Sequence, residues 1–594
     1  MIKFIKSNLF FCILLFLAVF IVYGKAVNFG ITNLDDDTLV TRNIDYLSDI
    51  KNIPNLFLTD CYLIKETQYY RPVLSVSFAL EAVLFKDNLK IYHSDNIVLF
   101  ILSLICIFVF LSNLKINQSV LKFLVLLFAV HPVLSSVPVW IPARNDSLLT
   151  IFFLLSSINY LNYLKTNKKT YLFFYVVFFT LSLFTKETTI LLALTYPLLS
   201  YCFDIKFTKK QFINILIPVL FIFIIYFLLR WFAAVHTDTT LYISNWEYYL
   251  KNMFFGLITY IEKIFYPKNI PIMLYDIKPT IVTWFINISL FVLLIIYFVL
   301  SIKEKKKAVL FGLFFSLSAF IPTFLTTEYV FLSHRLITGL TGLLLITAII
   351  FEETIIKYPK TNKYLIICFL LLFSSFSFSS FNNIDKYKNS LTFWNSAYKD
   401  APAYYAIANG LAIEYMNIKD FEKAKKLSLE AINLNKNIDN CITYAKILFF
   451  TGETELSKQI FYQLLELNKK QFSIYTNLYN IYLFEGNIKK ATECAENTLR
   501  YSNSTIEKIS ALEKLSKVFA ISGNYQESLK MLLELLKYNK KATYYYNLAL
   551  LCTDLNDYDN SVVYIRKALE LEPTNEDYKN ILKDIEAKLS TKQG

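Results

Sequence analysis

The chain has 594 residues, 55% apolar and 17% aromatic, with only 11 Gly and 14 Pro, which excludes a disordered polymer or a disulfide-stapled miniature. Charged residues are 18% of the total and gather in short connections and in the last third, leaving long stretches almost free of charge, so a purely soluble chain is excluded too. The formal charge of +13 follows from lysines on one side of a polytopic membrane protein more simply than from nucleic acid, and no nucleic-acid partner is expected.

Lys3 and Lys6 precede an apolar run to about Tyr23 without a small-x-small cleavage site, which reads as a retained first span. Further spans are expected at about 95–113, 121–141, 147–164, 171–185, 188–203, 212–229, 280–301, 308–325, 336–351 and 363–381, eleven in all. Lys115/Lys122, Lys165/Lys168/Lys169, Lys206/Lys209/Lys210, Lys303/Lys305/Lys306/Lys307 and Lys357/Lys360/Lys363 occupy alternate connections, which are therefore expected to be cytoplasmic, as is the amino terminus. The opposite turns hold single basic residues (Arg144, Lys186, Arg335) and two long loops, about 24–94 and 230–279. An odd span count puts the carboxy-terminal third on that same outer side. Two apolar stretches, 73–85 and 246–266, are read as interfacial. The first is too short for ~30 Å of hydrocarbon, and the second carries Glu247, Lys251, Glu262 and Lys263 among aromatics.

After Phe381 the composition turns to Lys and Glu with Ala, Leu and Tyr at helical spacing, and a period near 34 sets in. Gly452 and Gly486 stand 34 apart, Gly523-Asn524-Tyr525 and Asn556-Asp557-Tyr558 mark further turns, and Ala568 and Pro573 close the last unit. These positions resemble the tetratricopeptide repeat. Five units are expected at 405–438, 438–471, 472–505, 509–541 and 542–575, after a half unit (Ser390, Trp394, Ala397, Pro402) and before a capping helix at about 576–589. The domains are thus 1–381 and 382–594. Tyr404, Tyr405, Tyr475, Tyr544, Tyr545 and Tyr546 suit inter-helix packing better than a ligand groove.

Asp35-Asp36-Asp37 follows the first span. It reads either as a solvated turn or helix cap, or as a general base whose crowded, partly desolvated carboxylate gains basicity toward an acceptor hydroxyl. The same outer side collects Tyr70-Arg71, His93, Asn96, His131, Arg144, Asp146, Lys186, Glu187 and Arg335, mostly at span ends. Any one of these could snorkel to the interface; their concentration on the side poor in other charges favours a polar site. Cations and carboxylates there suit a substrate with an anionic head and a lipid tail. This is the chemistry of glycosyl transfer from a polyprenyl-phosphate sugar. The cysteines show no CxxC spacing, so neither a disulfide framework nor a zinc site is expected.

DDDTLVTRNID at 35–45, YYRPVLSVSFALEAVLF at 69–85, IYHSDNIVLF at 91–100, LLFAVHPVLSSVPVWIPARNDSLL at 126–149 and FTKETTI at 184–190 resemble, in order and spacing, motifs of the transmembrane and tetratricopeptide-repeat O-mannosyltransferase-like proteins. These are relatives of the protein O-mannosyltransferases in the GT-C superfamily. The resemblance implies an all-α, polytopic GT-C helix bundle of about eleven spans followed by a tetratricopeptide-repeat α-solenoid. It implies an inverting transferase that moves a mannose-type sugar from a polyprenyl phosphate to Ser/Thr hydroxyls of extracytoplasmic proteins. By motif position Asp35 or Asp36 is the base; Arg144, Asp146, Lys186, Glu187 and Arg335 shape the phosphate and sugar pocket; Asp37, Tyr70, Arg71, His93, Asn96 and His131 support it. Ser333-His334-Arg335 departs from the Glu-Arg the family tends to show. No metal ligand set is implied. The repeats are expected to bind acceptor or partner proteins, in the periplasm if the chain is bacterial. The alternatives are the same chemistry on a lipid or envelope glycan, and a non-catalytic membrane-anchored repeat scaffold.

Overall fold

The computed structural model describes residues 7–63, 67–234, 246–274, 278–301, 303–324, 332–358, 360 and 362–593. The expected outer loop at 230–279 and the span end at 325 lie partly outside them. The chain forms two compact units, Met1–Ile407 and Ala408–Gly594, and the described elements are helical.

In the first unit the helices are α1 (Leu9–Tyr23), α2 (Asp35–Leu39), α3 (Pro72–Phe85), α4 (Leu89–Asn113), α5 (Gln118–Ala129), α6 (Arg144–Thr166), α7 (Lys169–Thr185), α8 (Thr195–Cys202), α9 (Lys209–Ala233), α10 (Trp246–Phe265), α11 (Ile281–Leu300), α12 (Lys303–Phe324), α13 (Leu336–Lys357), α14 (Asn362–Asn383) and α15 (Ser390–Asp400). Eight described helices, those containing α1, α4, α6, α9, α11, α12, α13 and α14, are long and apolar enough to cross a membrane.

The other three expected spans are shorter. The stretch 121–141 is not one helix. α5 stops at Ala129, because Pro132, Pro138 and Pro142 follow in quick succession and each lacks the N–H that a helix interior requires. His131 Nδ1 accepts from Val133 N (3.2 Å) instead, opening a buried run of 3₁₀ turns to Ala143. The stretch 188–203 splits into Thr189–Leu192 and α8, with Pro197 in the first turn of the second piece. α7 has 17 residues. α10, expected to lie along the interface, is bonded to α11: Thr283 Oγ1 donates to Glu262 Oε2 (2.7 Å) and Asn287 Nδ2 to Ile258 O (2.9 Å).

Two sets of connections separate at opposite ends of this unit. At one end, Asn117 N meets Glu352 (3.4 Å), Gln211 Nε2 meets Leu164 O (3.1 Å) and Lys307 pairs with Asp204 (2.6 Å), which gathers the lysine-bearing connections. At the other, Tyr23 donates to Ala129 O (3.2 Å), Ser380 to Val130 O (2.8 Å) and Asn383 to Ser135 Oγ (2.6 Å). α12 and α13 approach closely: a Cβ on Gly342 would collide with Gly312 O.

The division between units falls after Ile407, not after Phe381. The half repeat expected at the head of the second domain belongs to the first. Gly30 N donates to Lys388 O (2.9 Å), Lys25 pairs with Asp385 (2.7 Å), Ile272 N donates to Asp400 Oδ2 (2.8 Å) and Phe393 stacks on Trp140 (6.5 Å).

From α16 (Tyr405–Asn417), which straddles the division, the chain alternates α17 (Phe421–Leu434), α18 (Ile438–Phe450), α19 (Thr454–Leu467), α20 (Phe472–Phe484), α21 (Ile488–Arg500), α22 (Thr505–Ile521), α23 (Tyr525–Leu535), α24 (Ala542–Asp554), α25 (Tyr558–Leu571) and the polar α26 (Glu576–Gln593). Every helix pair turns through one motif. Lys419, Gly452, Gly486, Gly523 and Asn556 sit at φ between 61° and 87°. The next N–H then bonds back five residues: Asp420 to Tyr415 O, Glu453 to Leu448 O, Asn487 to Tyr482 O, Asn524 to Phe519 O and Asp557 to Cys552 O, at 2.8–2.9 Å. Tyr475 stacks on Tyr501 (5.6 Å), Tyr546 on Tyr578 (5.0 Å), and Tyr544 is buried and bonded to Glu513, as the packing reading expects.

Candidate functional site

A cavity of about 220 Å³ opens in the first unit, at the end opposite the lysine-bearing connections. Its ionisable lining comes from five places distant in sequence: Asp35 of α2, Arg71 before α3, Asp146 of α6, Lys186 after α7, and His334-Arg335 before α13. Each position is a helix end or the turn beside it. There the chain reverses and a polar side chain can leave apolar packing.

The three aspartates divide. Asp35 is half-buried and lines the cavity. Burial raises its carboxyl above the ordinary aspartate value, while the Tyr62 hydroxyl, Arg335 and Arg71 pull it back. Asp36 turns away and is buried: Oδ2 accepts from Thr32 N (2.6 Å) and Thr32 Oγ1 (3.0 Å), and Oδ1 from Asp37 N (3.1 Å). Burial raises it to about 6, against the bonds from Thr32. Asp37 pairs with Arg42 (2.5 Å). Of the triplet only Asp35 lines the cavity; Asp36 is bound to the Thr32 turn and Asp37 to Arg42, and no side chain caps α2.

Arg71 is held from two sides. Glu187 takes its Nε (3.2 Å) and Nη2 (2.6 Å), and the Asn145 amide, oriented to donate to Thr185 O (2.9 Å), accepts from its Nη1 (3.0 Å). Tyr69 lies under the guanidinium at 4.7 Å. Such a bidentate clamp fixes a planar cation at the cavity wall. Lys186 donates to Asp146 Oδ1 (2.6 Å), and His334 Nε2 stands 3.9 Å from Asp146 Oδ2. Burial lowers Lys186 to about 8, with Asp146 raising it and Arg71 and Arg335 lowering it. Glu187 stays ionised, at about 2, because Arg71 and Lys186 outweigh its burial. Arg335 Nη1 donates to Thr323 O (3.4 Å).

Arg144 is not at the cavity. It is 1% exposed and pairs with Glu81 (2.6 Å), donates to Asn96 Oδ1 (2.9 Å) and Tyr92 O (3.1 Å), and packs on Phe78 (4.6 Å). It joins the first turn of α6 to α3 and α4. Asn96 continues that tie, donating to Trp140 O (2.8 Å) and Ile141 O (3.1 Å). His93 is buried edge-on to Phe29 (6.4 Å), Tyr70 donates to Phe57 O (3.0 Å), and His131 Nε2 meets Ile264 O (3.0 Å). These four shape the scaffold around the cavity and do not line it.

Sequence reasoning passed over Tyr62 and Trp140 and placed His334 beside Arg335 on the outer side without giving it a role; all three line the cavity. Trp140 Nε1 donates to Thr32 Oγ1 (3.1 Å) and its ring meets His334 edge-on (4.9 Å), so the Asp36–Thr32 turn and the Asp146–Lys186 pair flank one indole. Only the His334 departure from the family pattern gave a signal. Among the described residues no group of three or more His, Cys, Asp and Glu side chains is placed to hold a metal ion.

Residues 542–575 match the family profile of the tetratricopeptide repeat. The chain is similar to BBSome complex member BBS4 of Bos taurus, 27% identical over 128 residues, covering 22% of this chain and 25% of that protein. It thus spans a quarter of that relative's length. Among solved structures it is similar to TTC0263, a thermophilic TPR protein of Thermus thermophilus, at 15% identity over 30% of this chain and 98% of that one, TM-score 0.25. Pseudomonas aeruginosa pilF gives 15% identity over 32% and 86%, TM-score 0.27. The matched repeat is the α24–α25 pair of the second unit.

Proposed function

We propose that the first unit is a membrane-embedded inverting glycosyltransferase that moves a mannose-type sugar from a polyprenyl phosphate to Ser/Thr hydroxyls of extracytoplasmic proteins, and that the repeats bring the acceptor or a partner. The reading puts the cavity on the extracytoplasmic side. The observation that carries it is the meeting of Asp35 with Arg71, Lys186 and Arg335 around one cavity at the lysine-poor end of the bundle.

Asp35 takes the proton of the acceptor hydroxyl as its oxygen bonds to the anomeric carbon. The glycosidic bond to phosphate breaks on the opposite face, and the phosphate leaves with the electron pair. Lys186 and Arg335 balance the charge gathering on it, and the clamped Arg71 guanidinium presents a fixed edge to it. Asp146 orients Lys186. In this reading Asp36 keeps the α2 turn in shape and Arg144 holds the scaffold.

The test is sugar transfer from a labelled polyprenyl-phosphate donor by the purified full chain. Asp35→Asn is expected to lower transfer on the order of a hundredfold or more, the usual worth of a general base, with donor binding retained. Transfer at the parental rate by Asp35→Asn sinks the assignment. Label entering lipid or envelope glycan instead of protein moves the acceptor and keeps the chemistry. A repeat scaffold without catalysis is the other reading, favoured by the repeat match alone; it expects exported proteins to carry the same glycans with and without this chain.

A further inference from the structure

A second, larger cavity of about 1260 Å³ lies along α11, between it and the facing sides of α10, α12 and α13. It exceeds the ~300–1,000 Å³ of small-molecule pockets. Phe254, Trp284, Phe291, Leu313 and Ile350 give it an apolar body. The polar groups along that body are committed within the protein. Asn287 Nδ2 donates to Ile258 O (2.9 Å) and Thr283 O (2.8 Å), and the Thr347 hydroxyl to Leu343 O (2.9 Å).

One end is different. Ser301, Lys305, Glu353 and Lys357 line the cavity there, with Tyr297 facing Ser301 and Glu353. Two cations and one carboxylate at the mouth of an apolar groove match a phosphate, an ammonium and hydrocarbon tails. We propose that this groove binds one phosphatidylethanolamine, its phosphate on Lys305 and Lys357, its ammonium on Glu353, and its acyl chains between α11 and α13. A phosphatidylglycerol headgroup brings the same phosphate but no cation to pair with Glu353. A choline headgroup has no N–H to donate to it.

The mouth lies far from the charged cavity. α13 begins just after His334-Arg335 and ends at Lys357, about 33 Å away at ~1.5 Å per residue. The groove therefore opens toward the leaflet opposite that site. The inference rests on these helices spanning a membrane, which resistance of the expressed chain to carbonate extraction tests separately.

The full chain, delipidated in detergent and returned to nanodiscs of equimolar palmitoyl-oleoyl phosphatidylethanolamine, phosphatidylglycerol and phosphatidylcholine, is examined by native mass spectrometry for retained lipid. The expected result is one phosphatidylethanolamine per chain, held at least fivefold over the other two. Lys305→Ala with Lys357→Ala lowers retention at least fivefold, and Glu353→Gln abolishes the preference over phosphatidylcholine while lipid is still held. Ile350→Trp fills the groove from the tail side and lowers retention with the headgroup site intact. Lys168→Ala with Lys169→Ala, on another lysine-bearing connection, changes nothing. Equal retention of the three lipids by the parent chain overturns the proposal, as does unchanged retention in both the double lysine variant and Ile350→Trp. Where a variant does not fold, the parent chain's own preference decides.

Discussion

Lys186 is the residue at which pH acts on the proposed chemistry. Burial lowers its ammonium to about 8, and Asp146 keeps it from falling further. Below that value it carries the charge a departing phosphate needs; above it the amine is neutral. Donor binding by the parent chain is expected to weaken as pH rises from 7 to 9, and binding by Lys186→Arg, whose guanidinium stays charged, to stay level. Titrating the donor against both chains across that range checks this, and parallel profiles would remove Lys186 from the phosphate. The cluster was legible in the sequence because Asp35, Asp146, Lys186 and Arg335 are charges at span ends, costly to place there without a partner. Tyr62 and Trp140 were not, since an aromatic residue in an outer loop or beside a span end is common and carries no sign. Arg144 shows the converse. A cation in a phosphate-site motif says what it can bind, and nothing about the Glu81 carboxylate that occupies it.

Elements are tied by such buried pairs. Arg144 holds α6 to α3 through Glu81 and to α4 through Asn96 and the Tyr92 carbonyl. Burial raises the Glu81 carboxyl to about 8 even beside Arg144, so Arg144→Ala leaves Glu81 protonated and the Asn96 Oδ1 and Tyr92 O acceptors without their donor, a loss of about 1–3 kcal/mol. Adding Glu81→Met removes the buried acid and is expected to restore part of the thermal stability and, with it, donor binding. Recovery of stability without donor binding would return Arg144 to the phosphate site. In the second unit the turns govern. Gly486 sits at φ +71° with open space around its Cα, so Gly486→Ala meets no neighbour and is destabilising through backbone strain alone, about 1 kcal/mol. Urea unfolding of the full chain, followed at the repeats, measures it. The repeats were legible because a helix pair cannot hide its apolar face alone and so recurs with a fixed period. The stretch 121–141 misled because hydropathy stays high through three prolines: composition satisfies a span while the backbone cannot continue the helix.

At the scale of the whole chain, the boundary between its parts is where composition and folding part company. Residues past Phe381 look like the repeats, being polar, aromatic and helical, yet those up to Asp400 fold with the first unit. Lys388 O takes the Gly30 amide five residues before Asp35. Asp385 takes Lys25, Asp400 takes the Ile272 amide beside the cavity residue Met273, and Phe393 stacks on the indole that lines the cavity. The segment 384–400 thus braces both the loop that carries Asp35 and the wall that carries Trp140. A chain ending at 404 keeps every one of these contacts, and one ending at 381 loses them all. The shorter chain is expected to unfold at a lower temperature, with donor binding weakened at least tenfold, because the α2 turn and the Met273 segment lose their backbone partners at once. The longer chain is expected to bind donor as the full protein does while losing whatever the repeats contribute to acceptor choice. Comparing the two by thermal unfolding and donor titration separates a boundary set by amino-acid type from one set by packing, and equal behaviour of the two truncations would refute the brace.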